Sequence, residues 1–228
     1  MTRRIPALLS ALVVSSLPFI WQATAQDQVT SPELQAETDA APTFMRPVGE
    51  DRAETLEAIA TALESVQTAS GRFGQINPDS TYIEGEFALQ RPGRVRFDYD
   101  DPSPILIVAD GTTVAIEDSD LETFERVPLG RTPLKLMFDK NVDFESDAEI
   151  VDLVTAPEEV FLTVRDRNGD IEGELTMILD PSSYQLQGWR VLDSTGSLTA
   201  VQLMDVETNK RLSQRLFRIE DPEDAEDE

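Results

Sequence analysis

Three carboxylates, Asp98, Asp100 and Asp101, fall within a few residues of one another. Glycoside hydrolysis needs such a pair, one acid to protonate the leaving oxygen and one carboxylate facing it. The chain, however, carries 44 Asp+Glu among 228 residues, so a cluster of this kind is expected by chance. A second candidate, Asp166-Arg167-Asn168-Gly169-Asp170, begins like a calcium loop. The position that requires glycine holds Ile171 and the one that requires glutamate holds Met177, so a polar hairpin turn is the better reading. Histidine and cysteine are both absent. Their absence excludes Ser-His-Asp and Cys-His nucleophiles and every thiolate or imidazole metal site. There is no glycine-rich phosphate loop. No metal and no cofactor is expected, and the remaining reading is a binding protein whose main resource is apolar surface.

That surface is plainest in LQRPGRVRFDYDDP (89–102). Ile83, Phe87 and Leu89 alternate with Glu84, Glu86, Ala88 and Gln90. After Arg91-Pro92-Gly93, Val95, Phe97 and Tyr99 alternate with Arg94, Arg96, Asp98 and Asp100. The period of two predicts a hairpin with one dry face and one charged face. On the residues alone, Arg91 is an ordinary exposed turn residue.

The elements that must position this hairpin follow from periodicity. Leu56, Ile59, Ala60, Leu63 and Val66 recur at three- and four-residue spacing opposite Glu54, Glu57 and Glu64, which predicts an amphipathic helix from Glu50 to Ala69. Ser70-Gly71 is its expected end, with glycine as the C-terminal cap. Pro104–Ala109, Thr112–Glu117 and Leu121–Val127 read as strands around an Asp110-Gly111 turn. Thr132-Pro133 starts a short helix to Phe138 in the manner of a cap followed by proline. Strands resume at Val160–Arg165, Glu172–Leu179, Leu186–Leu192, Leu198–Val206 and Leu216–Ile219, with turns at Asn168-Gly169, Thr195-Gly196 and Thr208-Asn209. The fold class is mainly β with helices: about ten to eleven short strands in one curved antiparallel sheet or barrel, with one long and one short helix against it.

Residues 1–25 read as a signal peptide. Arg3 and Arg4 precede an apolar core, and Ala23-Thr24-Ala25 supplies small residues for cleavage; a retained membrane anchor is the alternative. Residues 26–48 read as a disordered lead-in, 49–222 as the folded domain and 223–228 as an acidic tail. Lys+Arg number 19, and removing Arg3 and Arg4 leaves 17 against 44 acidic residues, a balance of −27. Such a surface repels phosphates, so nucleic acid is not an expected partner. The expected compartment is the periplasm.

The run GEFALQRPGRVRFDYDDPSPILIVADG (85–111), with LETFERVPL (121–129) and TPLKLM (132–137), resembles the periplasmic outer-membrane lipoprotein carrier family, LolA. The distal run 186–222, with Asp193, Gly196, Asn209 and Phe217, is similar to that family's C-terminal strands. The resemblance spans residues 50–222. It implies an incomplete β-barrel whose apolar interior, covered by helices, shelters the acyl chains of lipoproteins. The partners it implies are acylated lipoproteins, an ATP-driven release complex at the inner membrane and a receptor on the outer membrane, for a monomeric carrier that is not an enzyme. A periplasmic regulator that senses lipid or lipoprotein with the same fold is the alternative.

The resemblance also assigns residues. Arg91, before the proline of the turn, matches an arginine that bonds to the covering helix and latches the empty cavity. The implied wall comprises Phe73, Ile83, Phe87 and Leu89, then Val95, Phe97 and Tyr99, then Ile105 and Ile107. Leu134, Met137 and Phe138 face it from the covering helix. Many members carry an aromatic at the position of Val95 and tryptophan at that of Phe97.

Overall fold

The computed structural model describes residues 43–139, 142–169 and 172–220. The expected signal peptide, the lead-in up to residue 42 and the acidic tail lie outside them. Helix α1 runs from Gly49 to Ser65 and buries Leu56, Ile59 and Leu63, as their spacing requires. Glu50 and Asp51 occupy its first turn, where unpaired backbone N–H groups favour negative charge. The helix stops short of the expected Ala69, because from Thr68 the chain is already strand β1 (Thr68–Ile76). Gly71 is therefore not a helix cap. A β-carbon there would stand 2.6 Å from the Met204 carbonyl oxygen, so glycine lets two strands approach.

Ten further strands follow: β2 (Tyr82–Gln90), β3 (Arg94–Tyr99), β4 (Ile105–Asp110), β5 (Thr113–Asp118), β6 (Thr123–Pro128), β7 (Ala148–Thr155), β8 (Val160–Asp166), β9 (Glu174–Leu179), β10 (Leu186–Leu192) and β11 (Leu198–Thr208). They form one 11-stranded sheet in the order β6-β5-β4-β3-β2-β1-β11-β10-β9-β8-β7. Every neighbouring pair is antiparallel, and β6 and β7 are separate edges, so the barrel is incomplete. Two meanders thus meet along β1 and β11, where Phe73 lies opposite Leu203 and Gly74 opposite Gln202.

Two expectations are corrected here. Leu216–Ile219 is not a strand; Gln214–Phe217 forms a 3-10 turn that buries Phe217. With β1 and β10 already flanking β11, a strand that follows it by a tight turn cannot pair with it. The lead-in also ends early. Met45 exchanges two 2.8 Å backbone hydrogen bonds with Thr155, and the Arg46 guanidinium binds Asp152 at 3.1 Å. Residues 43–46 thereby cover part of the β7 edge, whose backbone groups would otherwise face water.

Between β6 and β7 the chain crosses from one edge of the sheet to the other through a 3-10 turn (Leu129–Arg131), α2 (Leu134–Phe138) and α3 (Phe144–Asp147). Leu136, Met137, Phe138, Val142 and Phe144 are buried in the same apolar cluster as α1 and the inward residues of the strands. Thr132 is extended and Pro133 helical, the geometry of a proline-first helix. The Thr132 hydroxyl does not cap α2 as expected. It turns back and donates to the Leu129 carbonyl at 2.8 Å.

Candidate functional site

The strand alternation places Phe87 and Leu89 of β2 beside Val95 and Phe97 of β3, since Phe87 lies opposite Phe97 and Leu89 opposite Val95. From the other meander, Leu186 and Trp189 of β10 and Leu203 and Val206 of β11 face the same space. Helix α1 lies over them with Ala62, Leu63 and Val66, and Phe138 of α2 closes one side. Together they enclose an apolar cavity of about 280 Å³. Its polar rim consists of Asp180, Ser183, Gln185, Gln187 and Thr208, with Arg91 at the junction of α1 and α2.

Arg91 is only 8% exposed, so it is not the solvent-facing turn residue that composition suggests. Its Nη2 donates to the Met137 carbonyl at 2.8 Å, its Nη1 to Asp139 at 2.7 Å and its Nε to Val66 at 3.1 Å. The Gly93 N–H donates to the Phe138 carbonyl at 2.8 Å. One turn therefore satisfies three successive carbonyls at the end of α2, which a helix terminus leaves without internal partners. The same guanidinium holds the end of α1 and sits 5.9 Å from the centre of the Phe138 ring. Gly93 is needed there: it has φ +63, and a β-carbon would meet the Leu129 side chain at 2.5 Å. Burial lowers the Arg91 pKa, and the charges of Glu64 and Asp139 oppose that shift; a guanidinium remains charged throughout.

Two further side chains fix α1. Glu64 is not on a free solvent face as the helical pattern suggests; its carboxylate accepts from the Val142 N–H at 2.8 Å and ties α1 to the crossover segment. Asn209, just beyond β11, accepts from the Gln67 N–H at 2.9 Å and donates to the Ser65 carbonyl at 3.2 Å. Its own N–H reaches the Thr68 carbonyl at 2.7 Å. The asparagine thus caps α1 from a strand far away in sequence.

At the rim, the β9–β10 hairpin is built on Asp180. Its carboxylate accepts from the Ser182 hydroxyl at 2.6 Å, the Ser182 N–H at 2.9 Å and the Ser183 N–H at 2.8 Å. These bonds hold the carboxyl down to about 2.

The expected wall residues divide into three groups, with Leu134 apart. Phe87, Leu89, Val95, Phe97 and Phe138 line the cavity, and Arg91 stands at its edge. Phe73 and Met137 are fully buried beside it, in the core. Tyr99, Ile83, Ile105 and Ile107 are half-buried and off the cavity lining. Leu134 begins α2, and its side chain lies outside the described part of the structure. The carboxylates considered for hydrolysis point elsewhere: Asp98 pairs with Arg96 at 2.7 Å and Asp100 with Arg72, so they do not flank a common site. Asp166 is buried, and Asp170 lies outside the described residues. Among the described residues no cluster of three or more acidic side chains is arranged to hold a metal.

Sequence reading missed the α1 face and the distal strands as wall. Inward parity was available for the latter, since Trp189 and Val191 alternate with Gly188, Arg190 and Leu192. Only the β1–β11 seam, which joins chain regions far apart in sequence, brings them opposite β2 and β3.

The profile of the family described as Outer membrane lipoprotein carrier protein LolA matches residues 64–220. An outer-membrane lipoprotein carrier protein of Legionella pneumophila is 31% identical over 180 residues, which cover 73% of this chain and 85% of the relative. A protein of the same name from Halorhodospira halophila is 30% identical over 183 residues, 75% of this chain and 84% of its own. Among solved structures, a LolA superfamily protein from Nitrosomonas europaea aligns with a TM-score of 0.42 at 8% identity, covering 72% of this chain and 97% of that one.

Proposed function

This chain belongs to the outer-membrane lipoprotein carrier family LolA, and we propose that it is a periplasmic carrier that shelters the acyl chains of lipoproteins between the two membranes. In this reading it accepts them from an ATP-driven release complex at the inner membrane and hands them to a receptor on the outer membrane. It performs no chemistry of its own. The observation that carries the proposal is the apolar cavity under a hydrogen-bonded cover, with α1 and α2 both held by Arg91.

The physical demand is clear. Each methylene removed from water contributes roughly 0.8 kcal/mol, so a chain of about a dozen opposes its own transfer through water by on the order of 10 kcal/mol. A carrier must offset most of this and still let go. Aliphatic and aromatic walls supply burial without direction, so they bind an acyl chain without specifying one geometry. The Arg91 bonds to Val66, Met137 and Asp139 favour the covered, empty state, and cargo must displace them to enter. Their return on release offsets part of the cost of expelling the chain.

The test is reconstitution. Inner-membrane vesicles carrying the release complex and ATP are incubated with the mature protein, and soluble lipoprotein in complex with it is measured. Absence of release in the presence of an active complex would sink the proposal.

A further inference from the structure

We propose that Phe73, Phe97 and Tyr99 form a plug that sets how much of an acyl chain the covered cavity admits; this rests on the carrier reading above. The cavity is lined at its inner end by Phe97 and Trp189, whose ring centres are 5.9 Å apart. Behind Phe97 lies Phe73, fully buried and off the cavity lining, with its ring edge-on at 5.2 Å and 80°. Beyond it stands Tyr99, again edge-on to Phe73, at 5.0 Å and 89°. The concave trough formed by β1, β2 and β3 therefore continues past the cavity, but three interlocked rings fill it.

The backbone is shaped to hold that plug. Gly85 of β2 lies opposite Phe73 on one side and Tyr99 on the other. A β-carbon at Gly85 would collide with the Asp98 carbonyl oxygen and stand 2.8 Å from the Phe73 ring, so the glycine both lets β3 approach and leaves room for the ring. At the far end the Tyr99 hydroxyl donates to Gln75 Oε1 at 2.8 Å, and Gln75 in turn donates to Asn77 Oδ1 at 2.6 Å. A half-buried phenol gains from such a partner, and the pair gives the apolar trough a polar end. An acyl chain entering from the rim at Asp180 and Thr208 runs along Leu89, Leu203 and Phe87 and meets Phe97 and Trp189. Methylenes beyond that point remain outside.

The experiment is calorimetric titration of the mature protein with saturated fatty acids graded from octanoate to stearate. The native chain should gain affinity by about fourfold per added methylene until the plug is reached, and then stay level. In Phe73→Ala the level region should move to longer acids, with about fourfold tighter binding for each methylene newly buried. Phe73→Leu removes less volume and should shift it less, which keeps the test usable if the alanine variant does not fold. A level region at the same chain length in native protein and in folded variants overturns the plug alone, as does an affinity that rises through the whole series in the native chain. No binding of any acid by the native chain overturns the carrier reading and the plug together.

Discussion

Arg91 and Met137, 46 residues apart in the chain, are joined by a 2.8 Å hydrogen bond from a guanidinium to a main-chain carbonyl. The same guanidinium reaches Asp139 and Val66, so three carbonyls on two covering segments depend on one side chain. Arg91→Leu should leave those carbonyls unpaired in an apolar setting, at about 1–3 kcal/mol for each that water does not reach. The expected result is a protein that still takes up lipoprotein but passes it on poorly, because the covered empty state is no longer favoured. Arg91→Lys should behave similarly, since a point ammonium cannot match a fork aimed at three acceptors. Transfer from the loaded variant to outer membranes measures this, and native transfer by both variants would remove Arg91 from the mechanism.

Val206 lines the cavity mouth and is 40% exposed, which makes it the clean place for a charge. Val206→Glu should change stability by no more than about 0.5 kcal/mol, as at other surface positions. Acyl binding should weaken by about tenfold or more, because the carboxylate must lose water when a chain enters. A charge at Phe97 would confound the two effects, since that ring packs on both Phe73 and Trp189. Unchanged affinity in Val206→Glu would place the mouth elsewhere.

Asn209 has φ +56 and uses both ends of its amide on the α1–β1 junction. Asn209→Ala loses both bonds and leaves a β-carbon in the left-handed region, at about 1–2 kcal/mol in all. Asn209→Gly loses only the bonds, so it should be the milder variant. Urea unfolding ranks the two, and a glycine variant less stable than the alanine one would contradict this account.

The Asp180 hairpin gives a pH signature. Its carboxyl sits at about 2 in the folded protein, held there by hydrogen bonds from Ser182 and Ser183. An unfolded aspartate titrates near 3.9. The folded pKa is the lower of the two, so the stability it contributes is complete above about pH 4 and is lost as pH falls toward 2. Protection of the Ser182 and Ser183 amides, taken relative to the intrinsic exchange rate at each pH, should therefore fall over that interval and stay constant from pH 5 to neutrality. Asp180→Asn should flatten the dependence, and an unaltered profile in that variant would assign the bonds no role.

The sequence made some of this plain and hid the rest for identifiable reasons. The β2–β3 hairpin was legible because Phe87, Leu89, Val95 and Phe97 alternate with charged, polar or small residues, and period two needs no tertiary information. Strand β1 was not, since TASGRFGQI holds two glycines and few apolar residues, each placed for a neighbouring strand instead of for burial. Strand β7 mixes Glu149 and Asp152 with its apolar residues because it is an edge strand, on which Glu149 and Val151 are exposed and Asp152 half-buried. Whether an inward residue becomes wall or core depends on what stands opposite. Phe73 and Phe97 look alike in sequence, and only their packing, with Phe73 edge-on between Phe97 and Tyr99, separates the one that touches the cavity from the one behind it.

The strand order carries a mechanical consequence. The first six strands and the last five are two half-sheets, and the only covalent tie between them is the crossover that contains α2 and α3. Their main hydrogen-bonded union is the β1–β11 seam on the opposite side of the cavity. The half-sheets can thus be regarded as two leaves on a hinge, with the crossover as a strap across the free edges. Guest entry that lifts α2 must also slacken or tighten that strap. On the carrier reading proposed above, opening the cover and spreading the leaves would be a single movement.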